Sequence, residues 1–517
     1  MQVSFIYTEE DPWALGMRSV SAVLRRAGHE TKLLFLQSQE QRYQDVYLKR
    51  IREIVKDSDI IGLSCMARGS EKARQVIDYL RSGGALLVWG GIHATLFPED
   101  CVASADVICR GEGEGFMLEL VERLESDRDW RDMANATYRN NGSMQQNPLR
   151  PLVEDLDGLP LPDFRHDNEY HFDDKGLRNI KEVFNVREPI MFNGSRGCPY
   201  PCTYCVNSKL QKLYAENGRY VRKMSMAQYV ASVRELKEHF PAAKYVYLID
   251  EDFFAFKAEE LRQFAEEFPR QVGLPFECMG SPVRFNEEKL ERLVAAGLWR
   301  VRIGLESGSE RTKREVYRRN MSNEAVLRTA REIVKYPQVV LCYFFIIANP
   351  FEDRQDLRDT IRFIANLPYP FYSQVYNLVF FPGTLLHERA AQEGLIDGKT
   401  NSGFELNYRG GLKYESHPWK RQNLYLNGLL FLMEGKSSCF RLGLLPRFLI
   451  TPLIRPSIIS FNDRFPILSR GAIKFKLFTL FLRRIAARFL QKALRNPNSV
   501  YNLSGFIKQT LKNIIRK

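Results

Sequence analysis

The sequence predicts an α/β chain: a doubly wound parallel sheet, then a partial (β/α) barrel, then a mainly helical basic region. Three observations point there. Short apolar runs alternate with amphipathic stretches through residues 1–126. A second alternating series, after residue 190, ends its strands in polar residues or glycine. Positive charge gathers at the carboxyl end, where residues 441–517 hold 16 Lys and Arg against one acid, Asp463, or +15 beside +13 for the whole chain. At roughly 100–200 residues per domain, 517 residues make about three domains. The expected divisions are 1–150, a linker over 151–190, 191–395 and 396–517.

In the first unit, QVSFIY (2–7), ETKLLFL (30–36), DIIGLSC (59–65), ALLVWGG (85–91) and DVICRG (106–111) read as buried strands. The intervening stretches carry helix periodicity, as in Val20, Val23 and Leu24 before the Gly28 stop. That alternation implies parallel strands with right-handed crossovers, a sheet that binds ligands at its carboxyl edge. Glycine-rich turns fall there, at Trp89-Gly90-Gly91 and at Gly111-Glu112-Gly113-Glu114-Gly115. The second follows the last strand rather than the first, so it is not a dinucleotide fingerprint. Tight turns without a ligand would have the same composition. His93 is a possible ligand, though a lone His after a turn is more often hydrogen-bonded structure.

The strongest motif is Gly197-Cys198-Pro199-Tyr200-Pro201-Cys202-Thr203-Tyr204-Cys205. Three cysteines spaced C-x3-C-x2-C can hold three corners of a [4Fe–4S] cube and leave one iron open. A structural zinc site wants a fourth ligand nearby. No Cys or His lies between His171 and Cys198 or between Cys205 and His239. A zinc loop with a distant fourth ligand, or three unrelated thiols, are the alternatives. The other six cysteines stand singly among apolar residues and read as buried free thiols, against a disulfide framework. After the loop come strands at Lys244–Ile249, ending in Asp250-Glu251-Asp252, and Trp299–Gly304, ending in Leu305-Glu306-Ser307-Gly308. Val339–Ile347 ends in Ala348-Asn349-Pro350, and Ser373–Phe380 in Phe381-Pro382-Gly383-Thr384. Helices at Met226–His239 and Glu287–Ala296 intervene, and the polar strand ends mark the face where such barrels place their chemistry.

The cysteine loop, with its aromatic residue before the last cysteine, resembles the radical S-adenosylmethionine (SAM) superfamily. The resemblance implies a (β/α)6 barrel, with Cys198, Cys202 and Cys205 on a [4Fe–4S] cluster whose open iron takes SAM. Reductive cleavage of SAM would give a 5′-deoxyadenosyl radical. It further implies that Tyr204, Asp250, Glu251, Glu306, Ser307 and Arg284 meet SAM. Where the family tends to read Gly-x-Pro-Gly-Glu, this chain has Ala348-Asn349-Pro350-Phe351-Glu352. A flavodoxin-like domain ahead of the barrel resembles the cobalamin-binding-domain members, on Gly90-Gly91-Ile92-His93, Gly111-Glu112-Gly113-Glu114, the linker Leu159-Pro160-Leu161-Pro162-Asp163 and Phe381-Pro382-Gly383-Thr384. This likeness, over roughly residues 1–395, implies cobalamin held by Gly90, Gly91, His93, Gly111, Glu112 and Gly113. No histidine has Gly three residues later, so the lower-axial D-x-H-x-x-G motif is absent. The expected function is cobalamin-dependent methyl transfer to an unactivated carbon. Non-methylating rearrangement, cyclisation or C–C coupling, on a lipid among other substrates, and a non-catalytic cobalamin or iron–sulfur sensor are the alternatives. A tRNA methylthiotransferase would need three further cluster cysteines in its first domain. The resemblance singles out no catalytic side chain.

In the tail, Leu482, Ile485, Ala486, Phe489, Leu490 and Ala493 form one apolar helix face, with Arg484, Arg488, Gln491 and Arg495 opposite. Such a helix suits an anionic membrane surface, and equally suits docking on the barrel with its basic face in water. Nucleic acid is not an expected partner; a small-molecule or lipid substrate and a reductant such as flavodoxin or ferredoxin are. The start MQVSFIYTEEDPW lacks a signal-peptide pattern, and no uncharged apolar run reaches the roughly 18 residues of a membrane span. The expected setting is a reducing cytoplasm, with the tail peripheral on the inner membrane face.

Overall fold

The structure, a computed structural model, describes residues 1–38, 42–173, 176–178, 183, 189–396 and 423–464. The first unit contains β1 (Gln2–Tyr7), β2 (Glu30–Leu36), β3 (Ile60–Ser64), β4 (Leu86–Gly90) and β5 (Val107–Cys109). All five are the apolar runs visible in the sequence. Side chains on a strand point alternately to the two faces, and here both faces are covered. Ile6, Leu34 and Leu36 pack under helices Asp45–Val55 and Ser70–Leu80. Val3, Phe5, Leu33 and Phe35 pack under Leu15–Arg26 and Glu114–Glu125.

Four further strands extend this sheet: β6 (Ala136–Asn140), β7 (Ser143–Gln146), β8 (Glu169–Asp173) and β9 (Gly176–Arg178). The order is β7-β6-β5-β4-β3-β1-β2-β8-β9. From β5 across to β8 the strands run parallel, and the outer strands are antiparallel. The run β2-β1-β3-β4-β5 is the flavodoxin-like order, whose direction of winding reverses between β1 and β3. The segment 151–190, expected only to connect, supplies β8 and β9 to the first sheet. These pieces are too short and too polar to stand out by periodicity.

The second unit opens with β10 (Ile190–Phe192) and a small antiparallel ladder, β11 (Ser195–Arg196) with β12 (Arg222–Lys223), around the cysteine loop. There follow β13 (Val246–Leu248), β14 (Phe276–Met279), β15 (Leu298–Glu306), β16 (Val340–Ile347), β17 (Phe371–Asn377) and β18 (Gly435–Lys436). The order β10-β13-β14-β15-β16-β17 gives six parallel strands, the (β/α)6 arrangement, with β18 antiparallel at the end. Strand β14 escapes the sequence reading because Glu277 interrupts its apolar run, yet Glu277 is fully buried. Strand β17 starts and ends earlier than expected, leaving Leu378–Phe380 as buried coil.

Helix Leu424–Leu432 is apolar all round and buried over nearly its whole length, where Asn427 Oδ1 accepts the Ala348 N–H at 2.9 Å. Helices Arg447–Leu453 and Pro456–Arg464 follow. The basic helix expected over 482–495 lies outside the described residues. Among the described residues no helix is long and apolar enough to cross a membrane.

Candidate functional site

The cysteine loop lies between β11 and the helix Asn207–Leu213. Cys198 and Cys202 are buried and Cys205 is half-buried. Burial pushes the Cys198 thiol up to about 12 and the Cys205 thiol up to about 11, so metal must displace their protons. The expectation that the six remaining cysteines are buried fails at Cys439, which is exposed. Among the described residues no three His, Cys, Asp or Glu side chains gather closely enough to hold a single metal ion. The irons of a cube sit at separate corners, so thiolates on one loop need not converge on a point.

Two neighbours of the loop had no sequence signal. Arg319 Nη1 lies 3.4 Å from Cys202 Sγ and 3.2 Å from Tyr204 Oη. Asn207 Nδ2 lies 3.7 Å from Cys205 Sγ and donates to Glu251 Oε1 at 3.1 Å. Donors to sulfur stabilise an electron-rich thiolate.

The residues matched to SAM separate into two groups. Glu306 ends β15 at φ +65°, a left-handed conformation costly for a non-glycine residue, and the β15–β16 register shifts between Gly304 and Glu306. The irregularity turns the carboxylate toward Tyr204 and Arg319, which favour its charge while burial opposes it. Glu251 is exposed beside the loop and lines a hollow with Gly197 and Pro199. These groups surround the cysteines. Asp250, Ser307 and Asp252, by contrast, are committed to protein partners. Asp250 accepts hydrogen bonds from Ser195 Oγ and Tyr229 Oη, and burial raises its pKa to about 6. Ser307 Oγ donates to Glu352 Oε1 at 2.8 Å and meets Thr360 Oγ1 at 3.0 Å. Asp252 accepts from Tyr200 Oη at 2.5 Å and the Ser281 N–H at 3.0 Å, tying the loop to the ends of β13 and β14. Arg284 is exposed, near enough to Tyr200 to favour its ionised form against the burial that opposes it.

At the carboxyl edge of the first sheet, a cavity of about 300 Å³ is lined by Ser64, Gly90, Gly91, Gly111, Glu112 and Gly113 among others. It sits at the β1/β3 reversal, where such sheets bind cofactors. Gly91 has φ +88°, and a Cβ there would meet Ser64 Oγ at 2.8 Å; at Gly111, φ +96°, it would meet Tyr214 Oη at 2.7 Å. Only glycine leaves those turns intact. His93 is 2 % exposed, between Trp89 and Phe97, with neither ring nitrogen hydrogen-bonded among the described residues, and burial lowers its pKa. Its wall belongs to a larger chamber of about 1170 Å³ between the two units, which also touches Tyr204, Cys205, Tyr247 and Arg302.

Glu112 does not point at a ligand alone. It pairs with Arg196 at 2.9 Å and Arg222 at 2.9 Å, and accepts the Val153 N–H at 2.7 Å. Glu114 takes the other side of the Arg196 guanidinium at 2.6 Å and accepts Ser19 Oγ at 2.8 Å. Arg196 stands two residues before Cys198, so the last turn of the first sheet is clamped to the stem of the cysteine loop. The available signal was a basic residue next to that motif and paired acids in the turn, too far apart in sequence to be matched.

The residues present fit the groups they would hold: a three-thiolate loop with an open side, and a glycine-cradled crevice at the carboxyl edge of the first sheet. Comparison with known proteins agrees. Residues 192–364 match the radical SAM superfamily and residues 3–121 match the B12 binding domain. The chain is 24% identical over 392 residues to the uncharacterized methyltransferase PH0819 of Pyrococcus horikoshii, covering 74% of this chain and 79% of that one. It is 25% identical over 386 residues to cytidylyl-2-hydroxyethylphosphonate methyltransferase of Streptomyces wedmorensis, covering 65% and 69%. Its fold is similar to TsrM from Kitasatospora setae, a radical S-adenosylmethionine methyltransferase, with a TM-score of 0.61, 16% identity and 76% of each chain covered. A [4Fe–4S] cluster, SAM and cobalamin are the cofactors that accompany these two domains. Residues 192–364 are therefore a radical SAM domain, and a B12 binding domain precedes it at residues 3–121.

Proposed function

We propose that this protein is a cobalamin-dependent methyltransferase that acts on an unactivated carbon of a small molecule. One observation carries the reading: a single chamber reaches both the cysteine loop, at Tyr204 and Cys205, and the His93 turn of the first sheet. The methyltransferase names of PH0819 and the Streptomyces relative support it. When bound, the cluster with SAM supplies radical chemistry and cobalamin supplies a methyl carrier. The chain's own part is positional. Cys198, Cys202 and Cys205 hold the cluster, and Arg319 and Asn207 steady two of the thiolates. Glu306, Glu251 and Tyr204 face SAM, Arg284 guards its rim, and Asp250 and Ser307 act by bracing the strand ends. Gly90, Gly91, Gly111 and Gly113 let the backbone approach cobalamin, His93 lines its outer side, and Glu112 locks that turn to the loop. Electrons would come from flavodoxin or ferredoxin through the hollow beside Gly197 and Pro199.

The test is anaerobic purification with iron, sulfide and corrinoid quantified, then reduction with SAM present. About four irons and one corrinoid per chain, with deoxyadenosine formed, is the expected outcome. Deoxyadenosine without corrinoid, even after reconstitution, would shift the reading to non-methylating radical chemistry. No SAM cleavage at all would leave the sensor.

We also infer a cytoplasmic chain whose carboxyl-terminal region rests on an anionic membrane surface. Phe440 and Phe448 support this, at 81 % and 77 % exposed, flanking a hairpin whose Arg447 N–H donates to the Phe440 carbonyl at 3.0 Å. Exposed Arg441 and Arg455 lie on the same hairpin and helix turn. Aromatic rings beside cationic side chains suit the headgroup boundary.

A further inference from the structure

The floor of the chamber holds an arrangement that the cofactors do not use. Glu277 on β14 is fully buried and faces two guanidinium groups from β15: Arg300 Nη1 at 3.0 Å and Arg302 Nη2 at 2.9 Å. Two cations share one anion, so the cluster carries a surplus positive charge. Arg302 spends Nε, at 3.2 Å, and Nη2 on the carboxylate. Its Nη1 has no hydrogen-bond partner among the described residues, and Arg302 lines the chamber. The guanidinium plane is held by aromatic rings, with its central carbon 4.5 Å from the Tyr247 centroid and 6.0 Å from that of Phe344. Tyr204, Met191 and Phe381 add apolar wall, and the other charged residues of the lining are Glu9, Asp11, an Arg68–Glu10 pair at 3.3 Å and Arg178, which pairs with Asp173.

We propose that this chamber selects an anionic substrate: a small molecule with an apolar or aromatic body whose carboxylate or phosphonate reaches Arg302 Nη1. The proposal rests on the chamber being the substrate site and adds the substrate's charge. Charge-assisted bonds to a pre-oriented guanidinium are strong and directional, and a ligand without an acceptor would leave the Arg302 Nη1 donor unmatched. With the anion on Arg302, the body of the ligand spans toward Tyr204 and Cys205, which line the same chamber. Glu277 is then a positioning residue, since it fixes which edge of Arg302 faces the ligand.

The test needs neither turnover nor a known substrate. Binding of phenylacetate and benzylphosphonate to the purified full chain would be followed by saturation-transfer NMR and titration, with neutral phenylacetamide and cationic phenethylamine as controls. The acids should bind at least about tenfold more tightly than the amide, and the preferred acid identifies the headgroup. Arg302→Met should lose about tenfold in acid affinity and Arg302→Lys less. Glu277→Gln, which keeps an oxygen to accept from Arg302 but removes the competing negative charge, should tighten acids severalfold, and it keeps the test decisive if Arg302→Met does not fold. Equal binding of acid and amide, or acid affinity unchanged in Arg302→Met and in Glu277→Gln, would overturn the proposal. Because binding is read without SAM cleavage, failure of the methyltransferase reading leaves this result standing, and the reverse.

Discussion

Glu352 shows how one side chain ties pH to folding. It is 4 % exposed, and burial drives its pKa up to about 8, against the Ser307 hydroxyl that favours its charge. The folded protein therefore keeps this proton to about pH 8, whereas an unfolded chain releases it near 4.5. Stability from this group is full below pH 4.5 and lost as pH rises toward 8. At about 1.4 kcal/mol per unit, the loss amounts to a few kcal/mol at most. Glu352→Gln should be nearly level with the native chain at pH 5 and more stable at pH 8, the difference growing through that window in urea unfolding. A constant difference would mean that Glu352 is ionised throughout. Sequence alone marked Glu352 as the end of a departed motif; it gave no sign that Ser307, counted among the SAM contacts, spends its hydroxyl on this carboxyl. A hydroxyl's partner is chosen by three-dimensional proximity, here across 45 residues.

Among elements, the Arg196 clamp has the widest reach. It joins the turn after β5 to β11, and Glu112 carries the link on to Arg222 of β12. Removing one partner of such a pair leaves the other charges unmatched, which costs about 3–5 kcal/mol when fully buried. With Arg196 one-quarter exposed, Arg196→Met should cost about 2–3 kcal/mol. Because the pair spans two units, the heat-induced transition should split, with the first sheet melting apart from the barrel by differential scanning calorimetry. A single, merely shifted transition would assign Arg196 to barrel stability alone. The strands on each side were readable because burial on both faces demands unbroken apolar runs. The clamp was not, since ion pairing leaves no periodic trace. The same limit hid β14, where a buried Glu stands in an apolar position, and the small edge strands β6 to β9, whose pairing depends on neighbours rather than composition.

For the whole molecule, charge is divided by position: residues 1–440 are nearly neutral at −2, and the rest carries +15. Basic residues near an anionic surface contribute about 1 kcal/mol each, so a few engaged side chains give measurable attraction that salt weakens. Co-sedimentation with phosphatidylserine vesicles should fall at least about tenfold when Phe440 and Phe448 are both changed to Ser. It should fall to background when 441–517 is removed. Unchanged binding in both would place the exposed rings in some other role. The cationic end is legible in composition alone; the exposure of Phe440 and Phe448 is not, because apolar residues in sequence read as core until their neighbours are known.

The β2–β8 pairing also sets an order of events during synthesis. Leu33–Leu36 gain their second neighbour only when Glu169–Phe172 arrive, more than a hundred residues later. A nascent chain that has left the ribosome as far as residue 150 already holds its five central strands, but presents β2 as an open edge capable of pairing with another chain. The returning segment seals that edge before the cysteine loop emerges. Chain direction alone therefore brings Cys198 out after the strand that closes the sheet facing it.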